Sequence, residues 1–331
     1  MRKVMKIIGA ALLVIVILII AAVFIVLKVA SDRKTNYYKY TETGGEIEAK
    51  YTSPGPYAVS YAEYEAEAAD YGKYAVWYPS DLKESNNRWP VVVIANGTGS
   101  KASSYEEVYK HLASWGFAVI GNDDEQSRTG ASTEATLVFL LAENENPDGE
   151  FYGKIDTNHI GIAGHSQGGV AVYNAVTNQK HGDMYTAVYA TSATSSYHTP
   201  ILDEEWGGGW SYDVSGITAP TFMTAGTGAF DAGTCDSKDQ IPTDENGLAQ
   251  GICPLWSLEE NFDTLPNNIA KVIARRTGKD HGDMLHACDG YMTAWFMYWL
   301  RNDEEAGKAF FGDKAEIFTN AQWQDVKVTR K

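Results

Sequence analysis

The chain has 331 residues, 44 % of them hydrophobic and 12 % aromatic, so it holds enough apolar material for a large core and is not a disordered protein. The net charge is −16, and beyond residue 34 it is −21, with 21 basic against 42 acidic side chains. Such a surface repels phosphate backbones and excludes nucleic acid as a partner, and three cysteines are too few for a disulfide-built scaffold or a four-cysteine zinc site.

Residues 7–27, from Ile7 to Leu27, are 21 uncharged and mostly aliphatic positions. At ~1.5 Å per residue they cover roughly 31 Å, about the hydrocarbon thickness of a bilayer. A cleaved secretory signal has a shorter apolar core followed by small residues, whereas here the run is long and Lys28 follows it. The expectation is a single-pass signal-anchor over residues 1–34 in the cell membrane. Arg2, Lys3 and Lys6 favour a cytoplasmic amino terminus and an extracytoplasmic body, although Lys28, Arg33 and Lys34 weaken that bias. Residues 35–56 are polar and read as a stalk, and residues 57–331 as the folded domain.

From residue 57 strand-like and helix-like stretches alternate. Strands are predicted at residues 73–78, 91–95, 117–121, 159–163, 185–190, 221–225 and 269–274. Helices are predicted at 105–115, 132–145, 168–177 and 291–300. Short all-apolar runs such as Val91-Val92-Val93-Ile94-Ala95 suit strands covered on both faces. The alternation implies βαβ units and a mostly parallel sheet with helices on both sides. Long loops are expected at 203–216 and 226–266.

The strand at 159–163 runs into Gly164-His165-Ser166-Gln167-Gly168-Gly169 and then an apolar helix. A serine in G-x-S-x-G between strand and helix is held in a sharp turn with its hydroxyl exposed, and the helix amino terminus favours developing negative charge. Ser166 is the candidate nucleophile, the amide of Gln167 a candidate oxyanion donor, and His165 a buried structural residue. These residues resemble the α/β-hydrolase superfamily, in particular its dienelactone-hydrolase, chlorophyllase and cutinase (polyesterase)-like serine esterases. The resemblance also rests on residues 91–100, 115–123 and 278–285. It implies an α/β-hydrolase fold with an eight-stranded, mostly parallel sheet and a triad in the order Ser, acid, His.

The resemblance puts a second oxyanion donor at the amide of Thr98, in the loop Asn96-Gly97-Thr98-Gly99-Ser100. It puts the base at His281, in the loop after the strand at 269–274, with His286 as the alternative. The acid should follow the strand at 221–225, with Asp231 favoured over Asp236 and Asp239. In an oxidising compartment Cys235 and Cys253 would close the intervening loop as a disulfide, leaving Cys288 free. Trp206 and Trp210 flank a triple glycine and suit apolar or aromatic acyl groups as substrate-binding residues. No metal-ligand spacing is present and the chemistry calls for no cofactor. The expected function is a membrane-anchored serine hydrolase acting on a small-molecule or polymeric ester through an acyl-enzyme on Ser166. An amidase or acyltransferase would use the same triad, and a non-catalytic surface module on this scaffold would not need it.

Overall fold

The computed structural model describes residues 2–241 and 249–330, with side chains from residue 18 onward. It divides into two units, residues 1–41 and 42–331. The first unit is the helix Arg2–Thr35 followed by a short 3-10 turn, Tyr37–Lys39. From Leu18 to Val29 its large apolar side chains are exposed. Asp32 accepts hydrogen bonds from Asn36 at 2.8 Å and Tyr40 at 2.5 Å, closing the end of the helix. Among the described residues no helix is long and apolar enough to cross a membrane; residues 7–17, half of the span expected from the sequence, lie outside the described side chains.

The second unit is built on one nine-stranded sheet. Its strands are β1 (Val59–Glu65), β2 (Lys73–Pro79), β3 (Trp89–Ala95), β4 (Ala118–Asn122), β5 (Ile155–His165), β6 (Tyr185–Thr191), β7 (Thr221–Gly226), β8 (Lys271–Arg276) and β9 (Trp323–Thr329). The order is β1-β2-β4-β3-β5-β6-β7-β8-β9. β4, β3, β5, β6, β7 and β8 run parallel, while β1, β2 and β9 join antiparallel at the two edges. This largely parallel mixed sheet suits an α/β-hydrolase and has one strand more than expected.

The unbroken apolar run of β3 follows from its place in the middle of the sheet. Val92 and Ile94 point into a core shared with the helices Glu106–Ser114 and Asp289–Arg301. Val91 and Val93 point into the opposite core, with Leu137, Leu140, Val172 and Leu258 from three other helices. A strand covered on both faces has no polar side to present, so alternation disappears from its sequence.

Residues 42–56, expected as stalk, belong to the body. The helix Glu46–Thr52 lies so close to Asp289–Arg301 that a Cβ on Gly290 would come within 2.2 Å of the Thr52 hydroxyl. Glu48 is buried and accepts hydrogen bonds from Gly44 N–H, Asn320 Nδ2 and the Trp323 indole at 2.7–2.8 Å. A carboxylate in the interior is tolerable only when satisfied in this way, and at seven residues the helix is too short to show a periodicity.

Candidate active site

Every predicted site residue lies beyond the carboxyl end of a parallel strand, the edge at which open α/β sheets hold their ligands. β5 delivers Ser166 directly. The turn holds Ser166 at φ 60°, ψ −124°, a left-handed conformation that side chains rarely adopt, and the helix Gln167–Asn178 begins at the next residue. Glycine is required on both sides: a Cβ on Gly164 would sit 2.2 Å from the Gly168 carbonyl oxygen, and one on Gly168 2.3 Å from that of Ala95. β5 and its helix therefore press against each other and against the end of β3, leaving the serine hydroxyl at the surface of a cavity.

The loop after β8 carries His281, and the turn after β7 carries Asp231. Ser166 Oγ donates to His281 Nε2 at 3.0 Å, and His281 Nδ1 donates to Asp231 Oδ1 at 2.8 Å. Asp231 is fully buried, and its second oxygen accepts from Ser192 Oγ at 2.5 Å and Gly226 N–H at 2.7 Å. The orienting carboxylate thus has both oxygens engaged, and the imidazole is held in the tautomer whose Nε2 accepts the serine proton. A hydroxyl so placed can be deprotonated as it attacks an electrophilic carbon. Asp236 and Asp239, the other acids considered, lie further along the loop around the exposed turn Lys238–Gln240. His286 lies on the short helix Met284–Ala287, beyond the loop that carries His281.

Asp280, which sequence reasoning assigned no role, joins the acid and base loops. Its carboxylate accepts from Phe230 N–H at 3.1 Å, Asp231 N–H at 2.9 Å and His281 N–H at 2.8 Å. Burial pushes its pKa up, but these backbone donors outweigh burial and hold it below the usual carboxylate range. His165 lines the cavity as well, with its ring 4.6 Å from that of His281. Its Nε2 donates to the His281 carbonyl at 2.7 Å. Burial, with the neighbouring His281, brings the His165 pKa down to about 4, so the ring is neutral near pH 7.

The loop after β3 is anchored from below. Asn96 is buried and donates to the carbonyls of Asn122 and Asp124, at 2.8 and 3.0 Å. Gly97 N–H is taken by Tyr105 Oη at 3.3 Å and Gly99 N–H by the Glu125 carbonyl at 3.0 Å. Between them, Thr98 N–H makes no hydrogen bond among the described residues and borders the same cavity as Ser166. Gln167 occupies the first position of its helix, where a backbone N–H has no partner within the helix.

The cavity measures about 760 Å³, and Trp206, Trp210, Ile201, Leu202, Phe230 and Ile252 supply much of its apolar wall. Trp210 is 2 % exposed and Trp206 56 % exposed, their rings edge-to-face at 6.1 Å. The triple glycine between them is tied down: Arg128 donates to the Trp206 and Gly208 carbonyls, and Asp203 accepts from Trp210 N–H and Ser211 N–H. Part of the long loop at 203–216 is in fact helix, Thr199–Trp206. The loop at 226–266 contains the helix Leu255–Thr264, while residues 242–248 lie outside the described residues. The expected disulfide is not formed, and Cys235, Cys253 and Cys288 are all free thiols. Backbone hydrogen bonds close this loop instead, from Thr234 N–H to the Ala249 carbonyl, Ile252 N–H to the Phe230 carbonyl and Cys253 N–H to the Asp231 carbonyl, at 2.7–3.0 Å. Among the described residues no cluster of His, Cys, Asp and Glu could hold a metal ion.

A model of the PET hydrolase-like family (PETase) matches residues 37–199, a stretch that contains Thr98, Ser166 and Gln167 and ends before Asp231 and His281. A bis(hydroxyethyl) terephthalate hydrolase of Streptomyces coelicolor is 29 % identical over 131 residues, 38 % of this chain and 40 % of that protein. The chain therefore spans about two fifths of the length of the relative it matches. The resemblance to cutinase- and polyesterase-like serine esterases stands on both matches.

Proposed function

We propose that this chain, which resembles the PET hydrolase-like branch of the α/β-hydrolases, is a serine hydrolase of carboxylic esters. The observation that carries the reading is the hydrogen-bonded series Ser166, His281 and Asp231 at the wall of an apolar cavity. In this mechanism Ser166 Oγ attacks the ester carbonyl while His281 Nε2 takes its proton. Asp231 steadies the resulting imidazolium, and the N–H groups of Thr98 and Gln167 hold the oxyanion. The tetrahedral adduct collapses, the C–O bond breaks, and His281 returns the proton to the departing alcohol. Water then attacks the acyl-enzyme by the same route and frees the acid. The walls, with Trp206 and Trp210, suit an apolar or aromatic acyl group, and the relative named for a terephthalate ester is in keeping with that. We read residues 7–27 as the membrane anchor of this enzyme, with the acidic body on the extracytoplasmic side. The support is the uncharged run between basic flanks and the exposed apolar side chains from Leu18 to Val29.

The test is covalent labelling. A fluorophosphonate should modify the purified chain at Ser166, located by peptide mass spectrometry. Ser166→Ala should lose both the label and, on the order of 10⁶-fold, turnover of a p-nitrophenyl ester. A label on another residue, or an Ala variant with most of its turnover, overturns the reading.

A further inference from the structure

The cavity wall carries a polar pair that the hydrolytic steps do not use. His198 stands at the start of the helix Thr199–Trp206, and Gln250 belongs to the segment that closes the loop after β7; both border the cavity that holds Ser166. The Gln250 amide Nε2 is hydrogen-bonded to His198 Nδ1. An amide nitrogen only donates, so Nδ1 accepts and the ring proton sits on Nε2. Among the described residues His198 Nε2 has no partner.

The pair is built rather than incidental. Gln250 is 4 % exposed. The segment on its carboxyl side is fixed from two sides, by Ile252 N–H on the Phe230 carbonyl and Ser195 N–H on the Ile252 carbonyl, both at 2.9 Å. His198 N–H is in turn held by the Ser195 carbonyl at 2.9 Å. The same cavity wall holds the apolar Ile201, Leu202 and Trp210 together with Thr194, Tyr197 and Glu205. An N–H donor at a cavity wall discriminates between occupants, because one that cannot accept from it leaves it desolvated and unpaired.

We propose that His198, set by Gln250, is a specificity-determining residue that donates a hydrogen bond from Nε2 to a neutral acceptor on the bound ester, remote from the scissile carbonyl. The inference rests on the hydrolase reading for its substrate class. The acceptor is neutral rather than anionic for three reasons. Glu205 borders the same cavity, no Lys or Arg is among its described wall residues, and the chain beyond residue 34 carries −21. Burial also lowers the His198 pKa, with Glu205 opposing, so the imidazole is uncharged near pH 7. A diester of an aromatic diacid carries the two acceptors this needs, one carbonyl for Ser166 and the other for His198, both of which border the one cavity. Once the first ester is cut, the half-ester would have to present its carboxylate to a wall that holds Glu205 and, among its described residues, no Lys or Arg, and it is expected to be a poorer substrate.

Three substrates test this: bis(2-hydroxyethyl) terephthalate, its half-ester and 2-hydroxyethyl benzoate, which lacks the second acceptor. The quantity read is the ratio of kcat/KM for the diester to that for the benzoate. His198→Leu should lower it roughly 3–10-fold, the worth of one hydrogen bond. Gln250→Leu should lower it in the same direction, and His198→Gln, whose amide can donate, should recover part of the loss. Binding of terephthalamide against benzamide to the Ser166→Ala protein, with and without His198→Leu, gives the same comparison without turnover. A terephthalamide preference that depends on His198 supports the proposal even if no ester is cleaved, in which case only the hydrolase reading falls. A ratio and a binding preference unchanged in the His198 and Gln250 variants overturn it, and so does a half-ester cleaved as fast as the diester.

Discussion

Replacing Asp280 tests whether the acid and base loops are held as one unit. Its carboxylate receives the N–H groups of Phe230, Asp231 and His281 at 2.8–3.1 Å, so a single side chain sets the spacing of two triad members. Hydrogen bonds to a charged group contribute about 1.5–3 kcal/mol each when buried, but Asp280 is part-exposed and water replaces part of the loss. Asp280→Ala should therefore cost about 2–4 kcal/mol, a fall in Tm of roughly 3–7 °C for a domain of this size. Asp280→Asn keeps an oxygen for two of the three donors and should cost about 1 kcal/mol. With the clamp gone the His281–Asp231 contact loosens, and a misplacement of the order of 1 Å lowers kcat by up to about 10²-fold. The depressed pKa of Asp280 means that its contribution is present above the ordinary carboxylate range and is lost only as pH falls below it. Calorimetry and ester turnover at pH 7 therefore see it in full. If the Ala variant melts within a degree of the parent and keeps its kcat, the clamp does not position the triad.

Asp231→Asn should lower turnover by about 10⁴, because the amide selects the wrong imidazole tautomer, while Asp236→Asn and Asp239→Asn stay near the parent in the same ester assay. His165 has its pKa lowered from 6.5 to about 4, so its stabilising share is complete above pH 6.5 and is lost as pH falls toward 4. In His165→Gln, which retains a donor for the His281 carbonyl, the curve of Tm against pH should be flatter over that interval, and an equally steep curve would remove His165 from the acid response. Full-length chain should leave the membrane fraction only with detergent and a chain starting at residue 42 should stay in the supernatant; release of the full-length form by high salt alone would count against the anchor.

What the sequence made legible follows local chemistry. β3, β5 and β7 were visible as apolar runs because both faces of the central sheet are covered. β1 and β9 were missed because they are edge strands: the exposed and half-buried positions of Val59–Glu65 and Trp323–Thr329 leave no apolar run. Ser166 was findable because its strained turn demands glycine at fixed neighbours, and His281 because it follows the last parallel strand. The spacing of Asp231 from β7 offered less, since the turn Ala229–Ala232 intervenes. Asp280, Ser192 and Gln250 had no local signature at all. Each acts through a contact 39–52 residues away in the chain, and only the fold brings such partners together.

The loop after β7 is closed by amides and carbonyls, with its cysteines left reduced. Thr234, Ile252 and Cys253 stitch it to the turn that carries Asp231, so the orienting carboxylate does not depend on an oxidant for its position. Closing this region takes no bond between Cys235 and Cys253. An enzyme whose acid is held this way tolerates changes in redox poise that would disarm one relying on a bridge at the same place.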